Sequence, residues 1–231
     1  MAGPGGRGAV KLSRLSTGSP LLDDLLGGGL ERRTITQIYG EPGSGKSTLC
    51  IMAAVSCLRG GEDVVYIDTE GFSADRFEQI AGEEAVALAD RLYLFEPADF
   101  VQQGVMIAEA EALLRTKRVG LIVMDSATAL YRSELGTTKD ALRTLSRHMV
   151  LLLGYAKKYE VPVLITNQVY MNVDTDVFFG LGGTALGHIS KAILRIERRD
   201  ATRRVVLEKH RSRPADTSFD YVIVEEGIRG V

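Results

Sequence analysis

Apolar positions recur along most of the chain in two patterns, one typical of strands and one typical of helices. Short apolar runs typical of buried strands occur at residues 35–39, 64–67, 92–95, 121–124 and 163–166. Longer segments in which apolar positions have helical spacing occur at residues 21–26, 46–58, 74–80, 100–114 and 139–158. Continuous apolar strands separated by helices are typical of a parallel sheet with helices on both faces. This part of the chain therefore predicts an α/β fold.

The pattern changes near residue 191. Strand-like runs at residues 192–196, 205–208 and 221–224 follow one another with no helical segment between them, and we expect them to extend the sheet in an antiparallel manner. Residues 12–231 thus predict a single α/β domain with a mostly parallel central sheet, helices on both faces and an antiparallel C-terminal extension. The glycine-rich residues 1–11 predict a disordered tail.

Composition narrows the class of protein only slightly. The 231 residues carry 28 Lys and Arg against 30 Asp and Glu, so any contact with nucleic acid must come from a local patch. No apolar run reaches the ~18 residues of a membrane span, and the start has no apolar signal-peptide core, so we expect a cytoplasmic protein. Cys50 and Cys57 lie two turns apart in one predicted helix, too far for a disulfide, and predict two buried thiols. His148 and His188 have no ligand-like companions, and we assign them no chemistry.

A phosphate-binding motif follows the first long strand. Residues 40–48 read GEPGSGKST, which matches the P-loop pattern G-x-x-x-x-G-K-[ST] between a predicted strand and a predicted helix. Glycines are favoured because backbone N–H groups must wrap a triphosphate, and the following helix adds its positive end. Lys46 supplies positive charge to the β- and γ-phosphates, and Ser47 supplies a hydroxyl to Mg²⁺. The predicted nucleotide contacts are Gly40, Glu41, Pro42, Gly43, Ser44, Gly45, Lys46, Ser47 and Thr48.

Three further strand ends carry polar side chains. Asp125 ends the run LIVMD at the edge where open α/β sheets place ligands, and is the predicted Mg²⁺ partner. Glu70 lies just beyond the run VVYID, where a carboxylate can orient and deprotonate water; alternatively, Asp68 and Glu70 cap the next helix or face solvent. Gln168 follows the run VLITN, where its amide can bond a γ-phosphate as a switch, or instead cap a helix or a turn.

Together these segments resemble the RecA superfamily, and more closely its archaeal and eukaryotic strand-exchange recombinases. The resemblance covers roughly residues 12–200 and rests on LSTGSPLLDDLLGGGLERRTITQIYGEPGSGKST, VVYIDTEG, LIVMDSATALYR and VPVLITNQV, in that order and spacing. The ending LEKHRSRPAD, without a separate N-terminal helical domain, looks most like an archaeal paralogue of the main recombinase RadA. The resemblance implies a RecA-like P-loop ATPase core.

The resemblance also implies roles for single residues that match its motifs. Glu70 becomes the catalytic glutamate, Lys46 a catalytic phosphate ligand and Gln168 the γ-phosphate sensor. Ser47 and Asp125 become the residues that hold Mg²⁺.

Three basic residues receive roles from the same resemblance. Arg76 lies where these recombinases stack an arginine on adenine, although the segment here is one residue shorter. Lys209 and Arg211 match a K-x-R pair with which RecA and KaiC-like relatives reach a neighbouring subunit's γ-phosphate. The alternative for this pair is a plain surface or DNA-facing position.

Two segments face DNA in the proteins that this chain resembles. One begins after Tyr131 and Arg132, and Arg132 is a candidate DNA contact. The other follows Gln168, runs to about Gly187 and contains Phe178 and Phe179, whose rings can stack on unpaired bases or instead pack on the protein body.

A third candidate for DNA contact is a basic stretch. Residues 191–213 hold nine basic and three acidic residues, with Arg203 and Arg204 at the centre. The stretch predicts either a DNA-binding surface or a sheet edge that charge protects from pairing.

These patterns lead to one functional expectation and two alternatives. We expect an ATP- and DNA-binding accessory protein of homologous recombination and repair: a weak Mg²⁺-dependent ATPase that binds single-stranded DNA and assists or regulates a RadA-type recombinase. Only about eleven residues precede the core, without the aromatic linker residue of full recombinases, so we expect a monomer, homodimer or short oligomer. The alternatives are an ATP-gated binding module without significant turnover and a KaiC-like ring-forming signalling ATPase.

Overall fold

A nine-stranded sheet organises the chain. The computed structural model describes residues 14–134, 140–172 and 177–231, so the predicted tail at residues 1–11 lies outside it. The strands are β1 (Arg14–Leu15), β2 (Leu30–Glu31), β3 (Ile35–Gly40), β4 (Asp63–Asp68), β5 (Leu92–Phe95), β6 (Val119–Asp125), β7 (Val163–Asn167), β8 (Val169–Asn172), β9 (Val177–Gly180), β10 (Ala192–Arg199), β11 (Thr202–Lys209), β12 (Thr217–Val224) and β13 (Gly227–Gly230). The α-helices are α1 (Pro20–Leu25), α2 (Lys46–Arg59), α3 (Ala74–Ala81), α4 (Ala85–Ala89), α5 (Phe100–Thr116), α6 (Ala129–Glu134), α7 (Ala141–Tyr159) and α8 (Gly183–Ile189).

The sheet combines a parallel half with an antiparallel half. Its strands lie in the order β13-β12-β11-β10-β3-β7-β6-β4-β5. The six strands from β10 to β5 in this order are parallel, whereas β10 to β13 form an antiparallel meander. The predicted α/β fold with an antiparallel C-terminal extension is confirmed.

Helices cover both faces of the parallel strands, which explains their continuous apolar runs. One face packs against α2 and α3, and the other packs against α5 and α7. Every residue of β4 and of β6 is buried. Each large aliphatic side chain buried in this way stabilises the fold by about 1.5–3 kcal/mol, so the polar strand ends are carried on a rigid frame.

The helix that follows the P-loop is itself part of the core. Cys50 and Cys57 lie on α2, are buried and are both free thiols, as the sequence predicts. Burial raises the pKa of the Cys57 thiol to about 12, so this side chain remains protonated at neutral pH. The two cysteines act as small apolar residues between α2 and the sheet.

The segment that follows Gln168 contains regular elements that the sequence pattern does not predict. It contains the antiparallel hairpin of β8 and β9 and then the helix α8. The base of the hairpin is closed where Leu181 donates its N–H to the carbonyl of Gln168 at 2.9 Å, and Asn167 donates its side-chain amide to Leu181 O at 2.8 Å. These bonds join positions that the local sequence pattern does not relate, which is why the hairpin was not predicted.

In the part of the chain that the structure describes, no helix is at once long enough and apolar enough to cross a lipid bilayer.

Candidate functional site

The P-loop connects β3 to α2, and its lysine side chain hydrogen-bonds the backbone of the loop. Lys46 is buried, and its Nζ donates hydrogen bonds to the carbonyl oxygens of Gly40 at 2.9 Å and Glu41 at 3.0 Å. Gly45 precedes the helix with φ of 99°, a left-handed conformation that glycine adopts without strain. The first N–H groups of α2 have no partners within the helix, and together with its dipole they make this end a site for anions.

The antiparallel meander packs directly against the P-loop. A Cβ atom on Gly40 would lie 2.5 Å from the carbonyl oxygen of Ile196 on β10, so only glycine fits at this position. Tyr221 on β12 donates its hydroxyl to the carbonyl of Ser44 at 3.1 Å. Sequence reasoning missed this support, because nothing local connects residue 221 with residue 44.

Burial lowers the pKa of Lys46, and the negative charges of Glu70 and Asp125 oppose that shift. Lys46 forms no ion pair among the described residues, since its hydrogen bonds go to neutral carbonyl groups. A bound anion would favour the charged form of this lysine, so the site is electrostatically suited to phosphate.

Asp125 lies at the end of β6 in a fixed orientation. Asp125 is 2% exposed, and its carboxylate accepts hydrogen bonds from Tyr66 Oη at 3.0 Å and from Thr166 Oγ1 at 2.5 Å. One donor lies on β4 and the other on β7, so the two strands next to β6 orient the Asp125 side chain. Ser47 is exposed on the first turn of α2.

These donors suit Mg²⁺ rather than a metal held by protein alone. The described residues contain no cluster of three or more His, Cys, Asp or Glu that could enclose an ion. Mg²⁺ takes oxygen ligands and is commonly held by one or two protein groups together with phosphates and water. Asp125 and Ser47 are the predicted residues with oxygen donors of this kind.

Asp68 and Glu70 have different environments, which separates the two sequence candidates. Asp68 is buried and accepts the N–H of Gly71 at 2.6 Å, so it closes the turn after β4. Burial raises the pKa of Asp68 to about 6, against the lowering effect of that hydrogen bond. Glu70 is exposed, and Ser73 caps α3 in its place.

Glu70 is joined to the candidate sensor. Its Oε1 accepts a hydrogen bond from Gln168 Nε2 at 2.5 Å and another from Ser126 Oγ at 3.0 Å. The backbone N–H of Gln168 is held in turn by Thr128 Oγ1 at 3.0 Å. Gln168 Oε1 is buried without a hydrogen-bond partner, so this amide has an acceptor available for a ligand or water.

One cavity of about 110 Å³ brings the predicted phosphate, base and sensor residues together. It is lined by Gly40, Pro42, Lys46, Glu70, Arg132, Gln168 and Val169. Lys46 and Glu70 were predicted to act together, and the structure places them at this cavity. Arg132 also lines it, although the sequence associates that residue with a DNA-facing segment.

Arg76 supports a turn of the meander. Its guanidinium donates to the carbonyls of Val224 at 2.8 Å, Glu225 at 2.9 Å and Gly227 at 3.0 Å. Burial lowers the pKa of Arg76. The guanidinium therefore ties α3 to the turn between β12 and β13, and its stacking on adenine stays a prediction.

Lys209 and Arg211 are both engaged within their own chain. Lys209 Nζ donates to the carbonyls of Gly187 at 2.7 Å and Ser190 at 2.9 Å, at the end of α8. Arg211 pairs with Glu31 at 3.2 Å. A contact with a neighbouring subunit would require these bonds to break, and the trans role of the pair stays a prediction.

The predicted DNA contacts fall into three groups. Arg204 forms a bidentate ion pair with Asp220 at 2.6 Å, whereas the neighbouring Arg203 forms no ion pair among the described residues and its Nε is buried without a partner. Phe178 and Phe179 belong to β9, but their side chains lie outside what the structure describes. Arg132 belongs to the cavity.

Comparison with known proteins identifies the family. Residues 9–231 match the model of the Rad51 family. The DNA repair and recombination protein RadB of Methanoculleus marisnigri is 67% identical over 96% of this chain and all of its own length. The protein of the same name from Archaeoglobus fulgidus is 44% identical, over 93% of this chain and 97% of its own.

The fold comparison agrees with the sequence comparison. The crystal structure of a RadB recombinase superposes with a TM-score of 0.80 at 38% identity, covering 94% of this chain and 99% of the other. The motif order, the sheet topology and the relatives agree, and the chain belongs to the Rad51 family, among its archaeal RadB members.

Proposed function

We propose that this chain is an ATP- and DNA-binding accessory protein of homologous recombination and repair, with slow Mg²⁺-dependent ATP hydrolysis that DNA stimulates. The observation that carries the proposal is a cavity beside the P-loop that Lys46, Glu70 and Gln168 line together. A phosphate ligand, a carboxylate base and an amide sensor are the groups that hydrolysis of a γ-phosphate needs. The Rad51 family and the names of the RadB relatives support the setting in recombination and repair.

The P-loop, the end of β6 and the helix α3 provide the proposed nucleotide contacts. Backbone N–H groups at the start of α2 and the Lys46 ammonium take the phosphates. Ser47 and Asp125 would hold Mg²⁺, which neutralises phosphate charge when it is bound. Arg76 remains the candidate for stacking on adenine.

Glu70 is the proposed base for the attacking water. Its Oε1 is occupied by Ser126 and Gln168, which leaves Oε2 to accept a proton from water. Water oxygen attacks the γ-phosphorus, the bond to the β–γ bridging oxygen breaks, and ADP leaves with that oxygen. Gln168 acts as the sensor, because a γ-phosphate oxygen can replace Glu70 as the partner of its amide.

A second candidate function is an ATP-gated binding module without significant turnover. The bond between Gln168 and Glu70 favours it, because a base held by the sensor amide is not free to approach water. In that case the nucleotide changes the position of the hairpin that follows Gln168, and DNA or protein binding reports the change.

The partners follow from the family setting. We propose single-stranded DNA as one ligand, contacted by Arg203, Arg204, Phe178 and Phe179, and a RadA-type recombinase as the protein partner. A homodimer or short oligomer is the proposed assembly. We place the protein in the cytoplasm, where the two buried thiols stay reduced.

The test is the steady-state ATPase rate with and without single-stranded DNA, for the native chain and for Lys46→Ala. We expect DNA-stimulated turnover in the native chain and loss of both turnover and ATP affinity in the variant. Turnover that persists in Lys46→Ala contradicts the P-loop assignment. Native protein that binds ATP and DNA without turnover supports the binding module instead.

A further inference from the structure

Arg132 is placed on the nucleotide side of the protein by α6. This helix starts soon after the end of β6, and Arg132 lines the same cavity as Lys46, Glu70 and Gln168. The sequence alone gives no reason to expect this, since the four residues come from four separate segments of the chain.

The position of Arg132 is fixed by its surroundings. Its N–H bonds the carbonyl of Thr128 at 3.0 Å, and Thr128 Oγ1 also holds the backbone N–H of Gln168. The preceding Tyr131 is buried, with its ring centroid 6.1 Å from that of Phe100. The backbone that carries Arg132 and the backbone that carries the sensor amide are therefore anchored on one residue, Thr128.

The guanidinium of Arg132 is available for an anion. It is exposed and has no hydrogen-bond or ion-pair partner within the described ranges, whereas Arg195, Arg204 and Arg211 are paired with carboxylates. Lys46 and Arg132 bring two positive charges to a cavity with one carboxylate, Glu70. The surplus positive charge suits a group that carries negative oxygens, and the planar guanidinium fork matches phosphoryl oxygens.

We propose that Arg132 contacts the terminal phosphoryl group of a nucleoside triphosphate bound to the same chain. This inference rests on the proposed nucleotide function and assigns that site a further catalytic residue. Negative charge on the three γ-oxygens in the transition state is stabilised by Arg132 together with Lys46. Water supplies the attacking oxygen and Glu70 takes its proton, so the protonation of Arg132 does not change. A diphosphate offers no group at this position, so Arg132 makes the site prefer triphosphate.

The test compares Arg132→Ala and Arg132→Lys with Arg143→Ala, an exposed arginine on α7 that does not line the cavity. Equilibrium binding is measured for ADP and for a non-hydrolysable ATP analogue, and kcat and KM are measured for ATP. We expect Arg132→Ala to weaken the ATP analogue about tenfold, leave ADP affinity unchanged and lower kcat about 100-fold or more. Arg132→Lys should be intermediate, and Arg143→Ala should behave as the native chain does.

Binding of single-stranded DNA without nucleotide distinguishes the nucleotide phosphate from a DNA phosphate. We expect Arg132→Ala to keep this binding. Loss of DNA binding with the ATP preference intact makes Arg132 a DNA contact and overturns the inference, as does an equal loss of ATP and ADP affinity. A native chain that binds no ATP contradicts the proposed function itself. If the native chain binds ATP and Arg132→Ala keeps the same preference for the ATP analogue over ADP, only the inference about Arg132 is contradicted.

Discussion

The cavity beside the P-loop and the basic stretch at residues 191–213 use charged side chains in opposite ways. At the cavity, Lys46 bonds only neutral carbonyls, and the Arg132 guanidinium bonds no described residue. In the basic stretch, most arginines already have a carboxylate partner. The ion pairs there join Arg195 to Glu197 and Glu208, Arg199 to Glu197, Arg204 to Asp220, Arg211 to Glu31 and Arg213 to Asp24.

The difference shows what a run of like charge does and does not predict. Arg204 lies opposite Asp220 because β11 and β12 pair in that register, which brings together residues sixteen apart. The basic stretch is thus largely neutralised within the sheet, although its sequence carries a clear excess of positive charge. The cavity has few charges, but the fold brings them together from distant segments, and Lys46, Glu70 and Arg132 form no ion pair among the described residues. Charged groups collected in this way are typical of a ligand site.

Glu70→Gln is the sharpest test of the role proposed for the cavity. The amide keeps the size of the side chain but cannot accept a proton, so ATP should remain bound while turnover falls about 100-fold or more. Single-turnover hydrolysis and equilibrium ATP binding measure the two effects separately. Glu83→Gln, on an exposed glutamate, is the control and should leave both unchanged. Native turnover in Glu70→Gln would remove this residue as the base.

The regular part of the fold could be predicted from sequence because each element carries its own pattern. The strand at 92–95 and the start of α5 at Phe100 lie where the pattern puts them. The short helix α1 was also predicted from its pattern, whereas the hairpin after Gln168 was not. The hairpin of β8 and β9 depends on bonds that join Asn167 and Gln168 to Leu181, which form only when the fold is complete.

Some residues of the candidate site could likewise be predicted from sequence, and others could not. A strand end followed by a polar residue marks Asp125, Glu70 and Gln168, because the carboxyl ends of parallel strands meet at one edge. No local signal marks the contact of Tyr221 with the P-loop or the position of Arg132 at the cavity, since both depend on how separate elements pack. The catalytic and sensor roles themselves stay predictions until the variants are measured.

The basic stretch is tested by reversing Arg203 and Arg204 to Glu together. We expect affinity for single-stranded DNA to fall about tenfold at low salt, and the dependence of log Kd on log salt concentration to flatten by about one. The matched control reverses Arg118 and Lys157, which changes net charge by the same amount elsewhere on the surface. Unchanged DNA binding would move the DNA site away from the meander.

A single substitution sharpens the contrast between paired and free arginines. Asp220→Asn removes the carboxylate that holds Arg204, so this guanidinium becomes available to a phosphate. We expect DNA affinity to rise about two- to threefold, which is the order of magnitude of one additional exposed bond between arginine and phosphate. A fall in DNA affinity would mean that the ion pair orients Arg204 for DNA instead of withholding it.

His148 on α7 has the smallest predicted effect at neutral pH, because it changes the stability of the fold only at acid pH. Its Nδ1 lies 3.0 Å from Gln103 Nε2, and burial lowers the pKa of His148 to about 4. Since the unfolded chain binds this proton near pH 6.5, the stability contribution is complete above that value and is lost as pH falls from 6.5 to 4. The expected loss at pH 4 is about 3 kcal/mol, measured as the change in the free energy of urea unfolding.

The variants test this assignment. The unfolding free energy of His148→Gln should not show this loss between pH 7 and pH 4, whereas that of His188→Gln, at an exposed position, should show it. An identical pH profile in His148→Gln would mean that another group, in the parallel half or in the meander, sets the acid response.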